Sequence, residues 1–166
     1  MNITIRKAKL GDEKTLAYIQ TESWKSAFTD IISAEDMERC TDIVKAEAMY
    51  ENVLKSGYAE ISILERDRKP HCIAAWSKAR NPQFSDCVEL ICIHSLSENR
   101  DKGYGSMMMN HIIDEIENSG HNSVLLWVFE KNTCARRFYE KHGFVLTANT
   151  QITYDAVEVM YRKELR

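Results

Sequence analysis

Residues 88–106 constrain the fold more than any other part of this 166-residue chain. They open with a short run of apolar and β-branched residues, 88–93, in which Glu89 is the only charged residue. Such a run is typical of a strand that is buried on both faces. A charged segment then leads into Gly103-Tyr104-Gly105, and a helical pattern follows over residues 106–116. We therefore predict a strand, a glycine-containing loop and a helix, in that order.

The loop before this helix is a candidate anion-binding site. The first backbone N–H groups of a helix have no intrahelical partner, and the helix dipole adds partial positive charge there. Such a turn suits a phosphate, and we expect Gly103 and Gly105 to let a ligand approach the backbone. By itself, however, the G-x-G pattern fits an ordinary turn equally well, and it matches neither of the two familiar nucleotide-binding motifs. The choice between these interpretations rests on the remainder of the chain.

Composition indicates one soluble domain spanning residues 1–166, since a chain of this length buries a sizeable core unaided. The net charge of −3 argues against nucleic acid or an anionic membrane as the main partner. The five cysteines form no C-x-x-C pair, which favours reduced thiols and argues against a metal site. There is no signal peptide, and no apolar run approaches the roughly 20 residues of a membrane span. We therefore expect a cytoplasmic protein.

Periodicity along the rest of the chain predicts a mixed fold. Strands are predicted at residues 3 to about 9, 58–65, 71–78, 88–93, 124–129, 144–146 and 156–161. Helices are predicted at residues 13–28, 34–39, 42–55, 106–116 and 133–142. The strands at 58–65 and 71–78 form a hairpin, and a single strand-helix-strand unit follows. This order predicts a mixed sheet in an α/β or α+β domain.

Two separated segments carry a resemblance to a known family. The first is Arg100-x-x-Gly103-x-Gly105, and the second is Asn132-x-x-Ala135-x-x-Phe138-Tyr139-x-x-x-Gly143-Phe144. At this spacing they resemble the GNAT superfamily of acyl-CoA-dependent N-acetyltransferases, and the order of elements fits along essentially the whole chain. The stretch Glu22-Ser23-Trp24-x-x-Ala27-Phe28, followed by Ile32-x-Ala34-Glu35, is similar to a broad bacterial branch of that family. The resemblance implies a mostly antiparallel sheet of six to seven strands, splayed in the middle and flanked by four to five helices.

The same resemblance implies acetyl-CoA as the cofactor, coenzyme A as the product and no metal. The cofactor would lie in the splayed gap, with its pyrophosphate on the amides of residues 101–106. The residues that the resemblance nominates for cofactor binding are Ile93, His94, Ser95, Arg100, Asp101, Lys102, Gly103, Tyr104, Gly105, Ser106, Asn132 and Tyr139. Two of them have open alternatives, since His94 fits a structural role and Asn132 fits a helix cap.

Acyl transfer to an amine needs a proton acceptor, because a primary amine with a pKa near 10 is mostly ammonium at neutral pH. Glu89 is the candidate base, since it is the lone carboxylate in an apolar strand and the family commonly has a glutamate there. The alternative is a structural glutamate paired with a basic residue. Some relatives carry their base on the next strand instead, at the position that Trp127 occupies here. Tryptophan cannot accept a proton, which favours Glu89.

Two further groups are needed for the transfer. The resemblance places an oxyanion donor on the backbone N–H of Ile93, freed from the sheet by a bulge. It places a general acid for the departing thiolate at Tyr139, for which the alternative is an ordinary core tyrosine.

The sequence thus predicts an acetyl-CoA-dependent N-acetyltransferase that works by direct attack in a ternary complex. The alternative is a noncatalytic acyl-CoA-binding or regulatory module of the same fold. The acceptor is a small-molecule amine or a protein amine, with Trp24, Phe28 and Glu89 as candidate contacts. The slight negative charge leans towards a cationic acceptor. Homodimers through the closing strands are common in the family, but these residues do not establish one.

Overall fold

The computed structural model describes all 166 residues and arranges seven strands in one sheet. The strands are β1 (Ile3–Lys7), β2 (Glu60–Arg66), β3 (Lys69–Lys78), β4 (Val88–Ser95), β5 (Ser123–Phe129), β6 (Val145–Thr153) and β7 (Ala156–Glu164). The helices are α1 (Glu13–Phe28), α2 (Ala34–Cys40), α3 (Ile43–Ser56), α4 (Tyr104–Asn118) and α5 (Thr133–Lys141). No helix combines the length and the apolar character that crossing a membrane requires.

The sheet is open in its middle. Its strand order is β1-β2-β3-β4-β5-β7-β6, and every neighbouring pair is antiparallel except β4 and β5. That parallel pair holds only where Val88 meets Val124 and Glu89 meets Leu125. Beyond these residues the two strands separate, so a gap opens towards their C-terminal ends. The predicted mixed sheet, mostly antiparallel and splayed at its centre, is confirmed.

Apolar side chains are buried on both faces of the sheet. On one face, Met108 and Ile112 of α4 pack against the even-numbered residues of β5, which include Leu126. On the other face, Leu16 of α1 packs with α3 and the central strands, where Ile63 is fully buried. This two-sided cover explains why the central strands read as continuous apolar runs. It also leaves the ends of α1 and α4 beside the gap.

Outside β6, most predicted element boundaries differ from the structure by up to three residues. β1 ends at Lys7 instead of near residue 9, and α4 begins at Tyr104 instead of Ser106. The largest difference is β6, which extends to Thr153 although only residues 144–146 were predicted as a strand. β6 is an edge strand that pairs with β7 alone; its apolar residues are all exposed, whereas Thr147, Asn149 and Thr153 are half-buried. An exposed edge carries little alternation for sequence reasoning to detect.

Candidate active site

The gap between β4 and β5 continues into a cleft of about 1720 Å³. One small ligand takes roughly 300–1,000 Å³, so the cleft has room for a cofactor and an acceptor together. All the site residues predicted from the sequence line this cleft except Lys102. Segments that are distant in sequence, from Trp24 to Tyr139, therefore surround a single space.

The loop before α4 presents a row of unpaired backbone donors. The six consecutive N–H groups of residues 101–106 have no hydrogen-bond acceptor in the protein, and the first bonded amide is that of Met107, 3.0 Å from the carbonyl of Gly103. Asp101 and Gly103 both have positive φ, 62° and 81°, which turns the chain sharply at this point. Successive free amides at a helix N-terminus form a site suited to an anion.

Buried side chains hold this loop from beneath. Asn99 is 4% exposed, and its side-chain amide donates to Nδ1 of His71 at 2.6 Å. The ring of Tyr104 is also buried, and its hydroxyl accepts a 2.9 Å hydrogen bond from Arg66. Lys102 donates to Oδ1 of Asn99 at 3.3 Å. The side chains of Tyr104 and Lys102 therefore support the loop, and the backbone N–H groups of both residues remain for a ligand.

Arg100 also reaches away from the loop amides. Its Nη2 donates to the hydroxyl of Ser26 in α1 at 2.7 Å. The loop after β4 is thereby joined to the C-terminal end of α1. In this conformation the Arg100 guanidinium contacts the helix, although the residue still lines the cleft.

Glycine occupies the two loop positions 103 and 105 for different physical reasons. Gly103 has φ +81°, and no atom lies within 4 Å of the position of a Cβ there, so its backbone conformation explains the glycine. A Cβ on Gly105 would lie 3.4 Å from the ring of Phe138. That both glycines keep the backbone open to a ligand stays a prediction, and at Gly105 the structure adds a contact with α5. There the missing side chain lets α5 pack closely on α4.

A β-bulge at Ile91 determines which backbone groups of β4 face the gap. Leu90 and Cys92 pair with adjacent residues of β3, so Ile91 is the extra residue. After the bulge the even-numbered residues bond to β3, as in the 3.2 Å bond from the N–H of Leu96 to the carbonyl of His71. Because bonded pairs alternate in an antiparallel ladder, the N–H of Ile93 points away from β3. β5 does not pair with β4 at this level, so the N–H of Ile93 faces the gap.

Glu89 lies where β4 and β5 begin to separate, and it is only 2% exposed. Its Oε1 accepts from Nη2 of Arg80 at 2.6 Å and from Nε at 3.1 Å. Its Oε2 accepts from the backbone N–H of Arg80 at 3.0 Å. The structure thus shows the pairing with a basic residue on which the alternative, structural interpretation of Glu89 depends. A carboxylate has about four acceptor positions, so one position remains beside these three bonds.

Tyr139 and Asn132 lie on the opposite side of the gap. Tyr139 is buried, its hydroxyl has no hydrogen-bond partner in the protein, and burial raises the pKa of its phenol. The phenol therefore stays protonated at neutral pH. Oδ1 of Asn132 accepts from the N–H of Ala135 at 3.2 Å, which is the helix-cap role, and its amide nitrogen has no protein partner. Both residues keep one polar group available to the cleft.

His94 and Cys92 are side by side on β4 and face α1 and α3. His94 is half-buried, with Nδ1 3.4 Å from the hydroxyl of Ser23, and burial lowers the pKa of its ring to about 4. Burial also raises the pKa of the Cys92 thiol to about 12. At neutral pH the imidazole is uncharged and the thiol is protonated. This protonation state supports the interpretation of Cys92 as a packing residue and not a nucleophile.

Aromatic rings form the far end of the cleft. The ring of Trp24 is 5.0 Å from that of Phe28, which in turn lies 5.1 Å from Phe129 of β5. Trp24 also meets Tyr154 at 6.1 Å, in the turn between β6 and β7. The predicted acceptor residues Trp24 and Phe28 therefore belong to a larger aromatic wall. Sequence reasoning missed Phe129 and Tyr154, because neither has a spacing that relates it to α1.

Two charged residues of this wall were also missed. Arg80 follows β3 in a loop, and Glu158 lies on β7 opposite Phe129. Glu158 accepts from the side-chain amide of Gln151 at 2.5 Å and from the hydroxyl of Thr153 at 3.2 Å, and it forms no ion pair. Only the three-dimensional arrangement brings these residues to the same cleft as Glu89.

A splayed mixed sheet, with unpaired loop amides at the mouth of its gap, defines the class of acyl-CoA-dependent acetyltransferases. The chain belongs to the acetyltransferase (GNAT) family, whose model matches residues 18–144. An uncharacterized N-acetyltransferase of Bacillus subtilis, YuaI, is 25% identical over 132 residues, which cover 78% of this chain and 73% of that protein.

Solved structures share the fold at lower identity. The PaiA N-acetyltransferase of Thermoplasma acidophilum, in complex with coenzyme A, superposes with a TM-score of 0.83 at 20% identity, covering 99% of each chain. The putative acetyltransferase YncA of Salmonella typhimurium, with acetyl-CoA, has a TM-score of 0.76 at 20% identity, covering 100% of this chain and 95% of the other. These similarities extend the family fold to the whole length of the chain.

Proposed function

We propose that this protein is an N-acetyltransferase that transfers the acetyl group of acetyl-CoA to a primary amine by direct attack in a ternary complex. The observation that carries the proposal is the row of free amides at residues 101–106, which opens onto the same gap as the N–H of Ile93 and the hydroxyl of Tyr139. Binding and chemistry then occupy one continuous cleft.

The residues present fit the cofactor. Bound acetyl-CoA would supply the acetyl thioester. The amides of residues 101–106 would hold its pyrophosphate, and the free side-chain nitrogen of Asn132 would donate to the pantetheine arm. Support comes from the two fold neighbours whose structures contain coenzyme A or acetyl-CoA.

Glu89 is the proposed proton acceptor. Guanidinium groups only donate hydrogen bonds, so the contacts with Arg80 engage acceptor oxygens of Glu89 and fix the orientation of its side chain. The remaining acceptor position can take a proton from the amine, directly or through a water molecule. Burial of the carboxylate keeps bulk water away and strengthens this interaction.

Ile93 and Tyr139 act on the thioester, whereas Glu89 acts on the amine. The N–H of Ile93 donates to the thioester oxygen as negative charge develops on it. Tyr139 protonates the departing sulfur, and the raised pKa of its phenol keeps that proton in place at the start of the reaction. Neither group needs an acyl-enzyme, because the amine attacks directly.

The test is a panel of amine acceptors assayed for thiol release from acetyl-CoA, with mass spectrometry of the products. We expect acetyl transfer to at least one acceptor. Double-reciprocal plots of the initial rate against the two substrate concentrations should give intersecting lines, as a ternary complex requires. A protein that binds acetyl-CoA in calorimetry but acetylates nothing would support the noncatalytic module instead.

A further inference from the structure

The acceptor end of the cleft carries charged side chains of both signs. Six charged side chains line the cleft outside the cofactor loop and α5, and they are Arg39, Asp42, Lys45, Arg80, Glu89 and Glu158. Five of these are in ion pairs, Arg39 with Asp36, Lys45 with Asp42, and Arg80 with Glu89. Glu158 alone has no cationic partner, and the ion pair of Arg80 does not use all of its donors.

The guanidinium of Arg80 is the exposed half of its ion pair. Its side chain is 54% exposed, whereas that of Glu89 is 2% exposed. Nε and one N–H of Nη2 donate to Glu89, and Nη1 has no partner in the protein. Because the negative charge of Glu89 is buried behind the guanidinium, the group that an incoming molecule meets is cationic. Guanidinium donors fit a carboxylate in a planar, two-point contact.

Glu158 offers the opposite charge in the same space. It is half-buried, and its carboxylate is fixed by the neutral donors Gln151 and Thr153. It lies close enough to Arg80 to contribute to the raised pKa of that guanidinium. A molecule between the two would meet one anionic and one cationic group. A polyamine matches only the anionic group, whereas an amino acid matches both.

We propose that the acceptor is a small amine that also carries a carboxylate, of the amino-acid class, and that Arg80 binds this carboxylate as the specificity-determining residue. Glu158 attracts the ammonium end before it loses its proton. The aromatic wall of Trp24, Phe28 and Tyr154 then takes an apolar side chain. This inference rests on the proposed N-acetyltransferase function, and it adds a carboxylate to the cationic acceptor towards which the net charge leans.

The test compares matched acceptors that differ only in the carboxylate, such as L-methionine with 3-(methylthio)propylamine and L-phenylalanine with 2-phenylethylamine, alongside spermidine. We expect a kcat/KM at least about tenfold higher for each carboxylated acceptor. In Arg80→Lys, which keeps the charge beside Glu89 but not the planar fork, this preference should fall about 10- to 100-fold, the range of a charge-assisted hydrogen bond. Glu158→Gln should lower kcat/KM for both members of a pair and leave their ratio unchanged. Arg68→Lys, in the exposed turn between β2 and β3, is the matched control.

Equal acetylation of both members of each pair, or a preference for spermidine, would overturn the inference while leaving the acetyltransferase function intact. An unchanged preference in Arg80→Lys would do the same. If no acceptor were acetylated, calorimetry of L-methionine with the coenzyme A complex would test the carboxylate site independently of the acetyltransferase activity. Binding that is lost in Arg80→Lys would support the carboxylate site, and no binding by the wild type would overturn it.

Discussion

The ring of Phe138 lies 3.4 Å from the point where a Cβ on Gly105 would be, so α5 rests directly on the first turn of α4. A methyl group at this distance makes an ordinary contact, whereas a branched side chain does not fit. We expect the free energy of unfolding of Gly105→Ala to lie within about 1 kcal/mol of the wild-type value. Gly105→Val should lose about 1–3 kcal/mol through overpacking. Chemical denaturation of the two variants measures the difference, and equal stability would contradict the contact.

Gly103 should matter for the cofactor and not only for stability. Its φ of +81° strains any other residue by about 1–2 kcal/mol. Gly57, the C-cap of α3, has φ +66° and the same empty surroundings, so Gly57→Ala is a matched control. Both alanine variants should lose similar stability in thermal unfolding. Only Gly103→Ala should weaken coenzyme A binding, by about tenfold, because only that residue orients the loop amides. Equal affinity of the two variants for coenzyme A would show that the loop does not contribute to cofactor binding.

Tyr139→Phe should separate chemistry from binding. The hydroxyl has no partner in the protein, so its removal should change stability by less than about 0.5 kcal/mol. Loss of a general acid should lower kcat about 100-fold or more, with little change in the KM for acetyl-CoA. Because burial raises the pKa of this phenol, the wild-type kcat should show no loss from its ionisation up to pH 10. Steady-state kinetics from pH 6 to 10 test both statements, and an unchanged kcat in the variant would exclude the acid role.

Glu89→Gln tests the proton acceptor. The amide keeps the shape of the side chain but cannot take a proton from the amine, so kcat/KM should fall about 100-fold at pH 7. The deficit should narrow as the pH rises, since the free amine increases about tenfold per unit below its pKa near 10. Glu60→Gln, in an exposed ion pair with Lys7, serves as the control and should be unchanged. Full activity of Glu89→Gln across pH 6 to 9 would leave only a structural role for Glu89.

The lowered pKa of His94 makes folding depend on pH. In the folded protein its ring titrates at about 4, whereas an unfolded histidine titrates near 6.5. The unfolded state binds more protons between these values, so stability is full above about pH 6.5 and falls towards pH 4, by up to about 3 kcal/mol from this residue. His71 and His142 act in the same direction, because burial lowers the pKa of each. Denaturation curves at pH 7 and pH 4.5 should differ less in His94→Gln than in the wild type, and equal differences would contradict the assignment.

Sequence reasoning succeeded where local chemistry and structure coincide. The loop with unpaired amides was predicted because free N–H groups follow from a strand, glycines and a helix in immediate succession. Glu89 was singled out because a single carboxylate in an apolar strand needs a partner or a task, and the structure supplies a partner in Arg80, whereas its role as a base stays a prediction. The splayed sheet came from the resemblance and not from periodicity, which does not report how far apart two parallel strands lie.

What the sequence did not reveal depends on contacts between distant segments. Arg80 reaches Glu89 from an irregular loop, and Glu158 meets the cleft from an edge hairpin. The supporting contact of Asn99 with His71 also joins the loop after β4 to strand β3, a contact that no periodicity indicates. Polar contacts of this kind form after the strands have paired, so neither propensity nor hydrophobic pattern contains them.

The extra residue at Ile91 also decides which side chains share a face of the sheet. In a regular strand, Glu89 and His94 would project to opposite faces, since they are five positions apart. The insertion turns the second half of β4 over, so both project towards α1 and α3. Deleting that one residue would leave the strand intact and redirect His94 into the packing beneath α4, and the two polar groups would no longer border the same cleft.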